Sequence, residues 1–91
     1  GARLVSLKEL KGYDVAEGDA DVRGWEVRTL SGRELGKVED MLVDTSTNEV
    51  VMLDVDLAGT DRHTLAPVRA AQLDRTRRVV LLDSADLEDT S

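Results

Sequence analysis

Along residues 51–57 the chain alternates, with Val51, Leu53, Val55 and Leu57 on one parity and Met52, Asp54 and Asp56 on the other. Successive side chains of a strand point to opposite faces, so this period of two predicts a half-buried β-strand. Trp25 and Val27 alternate with Glu26 and Arg28 in the same way, and Ser31-Gly32 turns that strand. Over residues 35–44 the parity breaks. Val38 claims one face, yet Met41 and Val43 reach that face only at odd spacing. One extra residue near Glu39-Asp40, a β-bulge, reconciles them, and bulges are how small sheets curl. Thr45-Ser46-Thr47-Asn48 and Gly59-Thr60-Asp61 are turns. Residues 65–68 form a short strand that Pro67 confines to an edge or a strand end. Residues 78–83 close the set, apolar on both faces through Val79, Val80, Leu81 and Leu82.

The pattern therefore predicts an all-β chain of about six short antiparallel strands. An open sheet of this size leaves two exposed edges, and closure into a small barrel removes them. Ahead of the strands, Ser6-Leu7-Lys8-Glu9 fits a capping box and predicts one helical turn ending near Gly12. The expected organisation is an N-terminal arm over residues 1–23, a barrel over 24–83 and an acidic, fraying tail over 84–91.

Charge narrows the function. Lys and Arg total 12 against 19 Asp and Glu, a net charge of −7 that opposes a phosphate backbone, so no nucleic-acid partner is expected. Trp25 and Tyr13 are the only aromatic residues, too few for a base-stacking platform. Cysteine is absent, which removes thiolate metal sites and thiol nucleophiles. No apolar run approaches the roughly 20 residues that span a bilayer. The expectation is a cytoplasmic domain with no membrane insertion and no cofactor.

Three segments resemble the PRC-barrel family, whose members include the cytoplasmic domain of the photosynthetic reaction-centre H subunit and the C-terminal domain of the bacterial ribosome-maturation factor. The first is Gly24-Trp25-Glu26-Val27 with Gly32 and the run from Leu35-Gly36-Lys37-Val38 to Asp44; the second is Val50-Val51-Met52-Leu53-Asp54-Val55-Asp56-Leu57. The third is Leu65-Ala66-Pro67-Val68 with Val79-Val80-Leu81. Asp21-Val22-Arg23-Gly24-Trp25 and Leu57-Ala58-Gly59 bring the wording closest to the reaction-centre type. The resemblance implies a stand-alone PRC-type β-barrel and a non-enzymatic docking role in larger assemblies.

Chemistry-bearing residues are sparse. His63 is the only histidine and reads as a solvated strand residue, and no G-x-S-x-G elbow marks a nucleophile, so an enzyme is not expected. Asp54 and Asp56 share a face, and with Asp44 or Glu49 they are candidate oxygen ligands for a hard cation. Gly32 and Gly36 read as turn and bulge glycines. Trp25 reads as core filler or barrel lid, and Arg75, Arg77 and Arg78 as a polar hairpin turn or an anionic docking spot.

The remaining feature is an apolar surplus. If Val51, Leu53, Val55 and Leu57 point inward, Val50 and Met52 point outward, and the same parity turns Leu42 outward. Of Val79/Leu81 and Val80/Leu82 one pair must follow, and Val80 and Leu82 are assigned to the outside. The resulting stripe, broken by Asp54 and Asp56, is either covered by Leu4, Val5, Leu7 and Leu10 of the arm or is a contact surface. The expected function is an interaction module whose partner is another protein or a second copy in a homodimer. The alternative is an acidic cation-binding or proton-handling domain.

Overall fold

Two strands dominate because their alternation is longest. In a computed structural model, which describes residues 4–9, 21–83 and 88–89, β3 (Glu34–Asp44) and β4 (Glu49–Leu57) form an antiparallel hairpin. Six shorter strands flank it: β1 (Leu4–Ser6), β2 (Glu26–Thr29), β5 (His63–Pro67), β6 (Gln72–Asp74), β7 (Val79–Leu82) and β8 (Glu88–Asp89). They make one sheet in the order β6-β7-β2-β3-β4-β5-β8, with β1 pairing the far end of β3 from β2. Pro67 is the last residue of β5, as its missing N–H requires. Among the described residues no helix is long and apolar enough to cross a membrane.

The bulge expected near Glu39-Asp40 is present. Val38 faces Val55 and Asp40 faces Asp54, leaving Glu39 as the extra residue, and Val38, Met41 and Val43 all enter the core. A second bulge lies on β4, where Met52 pairs with Leu42 but Val50 pairs with Val43, so that Val51 is skipped. That shift corrects the inward and outward assignment at the strand's start. Val50 packs against the core, and Val51 does not take the inward place expected for it.

The sheet does not close into a barrel. β5 and β6 are joined by a 3-10 turn at Val68–Ala70 and do not pair with each other. Val22, Met41, Val50, Leu53, Val68, Ala71 and Leu73 line a cavity along this seam. Nor is the sheet wholly antiparallel, since β7 runs parallel to β2 with Val80 beside Val27 and Leu82 beside Thr29. Because Val27 is fully buried, the register carries Val80 inward with it, and Leu82 shares Val80's face. Val80 and Leu82 are therefore core residues and not part of an outer stripe.

The amino-terminal helical turn is also corrected. Over the described residues, Leu7–Glu9 is a 3-10 turn and no α-helical turn forms. The hydroxyl of Ser6, which a capping box would use to cap the helix, instead donates to the carboxylate of Asp40. β1 pairs with β3 in the sheet, and Leu7 of the turn is buried in the core cluster. In the tail, β8 pairs with β5 through Thr64 and Leu65 where fraying is expected. Leu10, Gly12 and the rest of residues 10–20, with 84–87 and 90–91, lie outside the described residues.

Candidate functional site

The face of β3, β4 and β5 turned away from the core is organised by register. Leu42, Met52 and Pro67 form one cross-strand row, Asp40, Asp54 and Leu65 the next, and Lys37, Asp56 and His63 a third. Leu42, Met52, Leu65 and Pro67 are each half-buried, so the apolar stripe runs beyond the residues the sequence singles out. Leu65 and Pro67 are found only by counting outward from the Gly59-Thr60 turn, which places β5 against β4.

Asp40 lies on this outer face yet is 1 % exposed. The arm covers it: the 3-10 turn packs on β3, and the Ser6 hydroxyl donates to Asp40 Oδ2. The Met41 N–H donates to Oδ1 at 2.8 Å, so both carboxylate oxygens are engaged. Cover by the arm thus falls on Asp40, and Leu42 and Met52 stay half-exposed while Leu4 remains largely exposed.

His63 begins β5 and is not simply solvated. Its Nδ1 lies 2.7 Å from Asp54 Oδ1, diagonally across the hairpin. The hydrogen bond to Asp54 holds the imidazole above its ordinary range against a smaller opposing effect of burial, and the charges of Asp54, Asp56 and Glu39 add to it.

The four candidate cation ligands do not converge. Asp44 and Glu49 face each other where the β3–β4 turn begins, whereas Asp54 lies five residues further along β4, roughly 15 Å away. Asp44 Oδ1 is occupied by the Ser46 N–H at 2.8 Å and the Ser46 hydroxyl at 2.6 Å, and those bonds depress its pKa. Among the described residues no three His, Cys, Asp or Glu side chains group in a way that could hold a metal ion.

Arg75, Arg77 and Arg78 occupy the loop between β6 and β7, an exposed hairpin turn as expected. Trp25 is half-buried against the core, and its carbonyl accepts the Val38 N–H at 2.9 Å. The seam cavity, at about 140 Å³, is well below the roughly 300–1,000 Å³ of ligand pockets.

The sequence matches the family model of the PRC-barrel domain over residues 14–88, most of the chain. The chain belongs to the PRC-barrel family. In this PRC-barrel domain the matched span takes in β2 to β7 and the first residue of β8, so the outer face of β3–β4–β5 lies wholly within the family fold. β1 and its 3-10 turn lie before the match, which makes the lid over Asp40 an addition to the matched domain.

Proposed function

We propose that this PRC-barrel domain is a non-enzymatic interaction module of the cytoplasm that works through the outer face of β3–β4–β5, with a second copy or another protein as partner. The observation that supports it is the Leu42–Met52–Pro67 row. These apolar side chains share one face, point away from the core and are only half covered. Asp54 and Asp56 in the rows beside it would select partners by charge while the apolar row supplies contact area.

Met52→Lys tests the reading, because it charges the stripe without entering the core. Molar mass by light scattering over a dilution series should show a wild-type dimer, or a captured partner, that the variant loses at unchanged melting temperature. Association equal in both proteins would refute the stripe as the contact surface. The cation-binding alternative has less support, given the separation of Asp44 and Glu49 from Asp54 and Asp56. Its proton-handling form rests on the single His63–Asp54 pair.

A further inference from the structure

A second face carries a different chemistry. β2, β6 and β7 lie side by side, and Val79 and Leu81, half-buried and on the parity opposite to Val80 and Leu82, floor a shallow trough between the β2–β3 turn and the β6–β7 turn. Arg28 and Arg77 line it, with Glu26 and Asp74. Both carboxylates are already engaged. Glu26 lies 2.6 Å from the Arg28 guanidinium, and Asp74 Oδ1 accepts the N–H groups of Thr76 at 3.1 Å and Arg77 at 3.0 Å. The Arg28 guanidinium also donates to the Gly32 carbonyl at 2.6 Å, which fixes it at the rim. Arg77 is 82 % exposed, and its guanidinium stands 3.9 Å from Asp74, at the limit of an ion pair. Arg75 and Arg78 lie on the same exposed β6–β7 turn. In a chain of net charge −7 the β6–β7 turn, with three arginines after Asp74, is a local excess of positive charge.

The backbone adds an independent observation. The β3–β4 and β6–β7 hairpins share one build, an aspartate that caps a four-residue loop whose last residue is left-handed. At that last position the first hairpin has Asn48, with φ 61°, a residue that tolerates the conformation. The second has Arg78, with φ 58°, for which it is strained. Arginine at this position carries a conformational cost that asparagine or glycine would lower.

Resting on the interaction-module reading above, we propose that this trough docks an acidic peptide segment bearing an aliphatic side chain. Val79 and Leu81 seat the aliphatic group, and Arg77 and Arg78 of the β6–β7 turn take the carboxylates. Charge complementarity selects the occupant, since the exposed arginines of the β6–β7 turn outnumber its one aspartate, whose Oδ1 is held by backbone N–H groups. A nucleic acid fits less well, because the remaining surface repels a polyanion and the floor offers phosphates nothing.

The test is a nuclear magnetic resonance titration of the labelled full chain with a short peptide of alternating glutamate and leucine. Amide shifts centred on Arg28, Arg77, Val79 and Leu81 are expected, with affinity falling about tenfold in Arg77→Glu/Arg78→Glu. A spectrum of that variant otherwise unchanged keeps loss of binding distinct from loss of fold. Shifts centred on Leu42 and Met52 would overturn this inference and leave the interaction module standing. Absence of shifts at millimolar peptide would overturn it as well, while the Met52→Lys experiment judges the module separately. Equal binding of oligothymidylate at the same residues would replace it with a general polyanion site.

Discussion

Gly36 and the carbonyl of Asp56 meet so closely that a β-carbon on Gly36 would lie 1.9 Å from the Asp56 oxygen and 2.9 Å from its carbon. Gly36 stands beside the β2–β3 irregularity, facing Val27 on one side and Leu57 on the other, with Leu35 skipped. The obstacle is backbone, which cannot turn aside as a flexible side chain would. Gly36→Ala should therefore cost about 3 kcal/mol, at the upper end of overpacking penalties. Urea unfolding checks it, and a loss under about 1 kcal/mol would mean β3 and β4 separate easily there.

Removing the Ser6 hydroxyl strips a donor from a buried carboxylate. Ser6→Ala should destabilise by about 1 kcal/mol, the size of one lost hydrogen bond. A double-mutant cycle with Asp40→Asn should show coupling of roughly 1 kcal/mol; additive effects would mean the lid is held by β1 pairing alone.

The His63–Asp54 pair makes stability depend on pH. Because the folded imidazole titrates above its ordinary value, its stabilising contribution is complete below about pH 6.5 and disappears as pH rises through the folded pKa. Asp54→Asn should flatten that fall. As the only histidine, His63 gives one imidazole titration by nuclear magnetic resonance, and its midpoint should drop toward the ordinary value in the variant.

Relaxing the strained turn should raise stability. Arg78→Asn is expected to gain about 1 kcal/mol and Asn48→Ala to lose a similar amount, both read from melting curves. If Arg78→Asn is neutral, the left-handed conformation at Arg78 carries no penalty.

A charge separates the two kinds of apolar position. Met52→Lys should fold, whereas Val80→Lys buries an ammonium at a site with no exposure and should not. Circular dichroism of the two purified variants decides this. A folded Val80→Lys would return that strand face to solvent.

These positions also show how far the sequence could be read. The Glu39 bulge was legible because charged residues fix the parity on each side of it, and Val38 and Met41 cannot both face inward otherwise. The Val51 bulge was not, since Val50, Val51 and Met52 are all apolar and any register looks acceptable. The run from Val79 to Leu82 hides its inward face for the same reason, and only the parallel pairing with β2 assigns it. Asp40 carries no mark of burial in an acidic stretch; its cover is the arm, far away in sequence. The His63–Asp54 contact was within reach, because counting back from the Gly59-Thr60 turn puts His63 opposite Asp56 and one diagonal step from Asp54.

The parallel pairing of β2 with β7 has a consequence for how the protein is made. Glu26 finds its neighbour Val79 only after the 52 residues between them have been synthesised, so β2 waits for β7 to emerge. High contact order of this kind delays folding until the loop can close. A growing polypeptide that stops short of β7 holds a hairpin with Val27 uncovered. Ribosome-bound chains truncated before Val79 should therefore be cut readily by protease, and resistance should appear once Leu82 has left the exit tunnel.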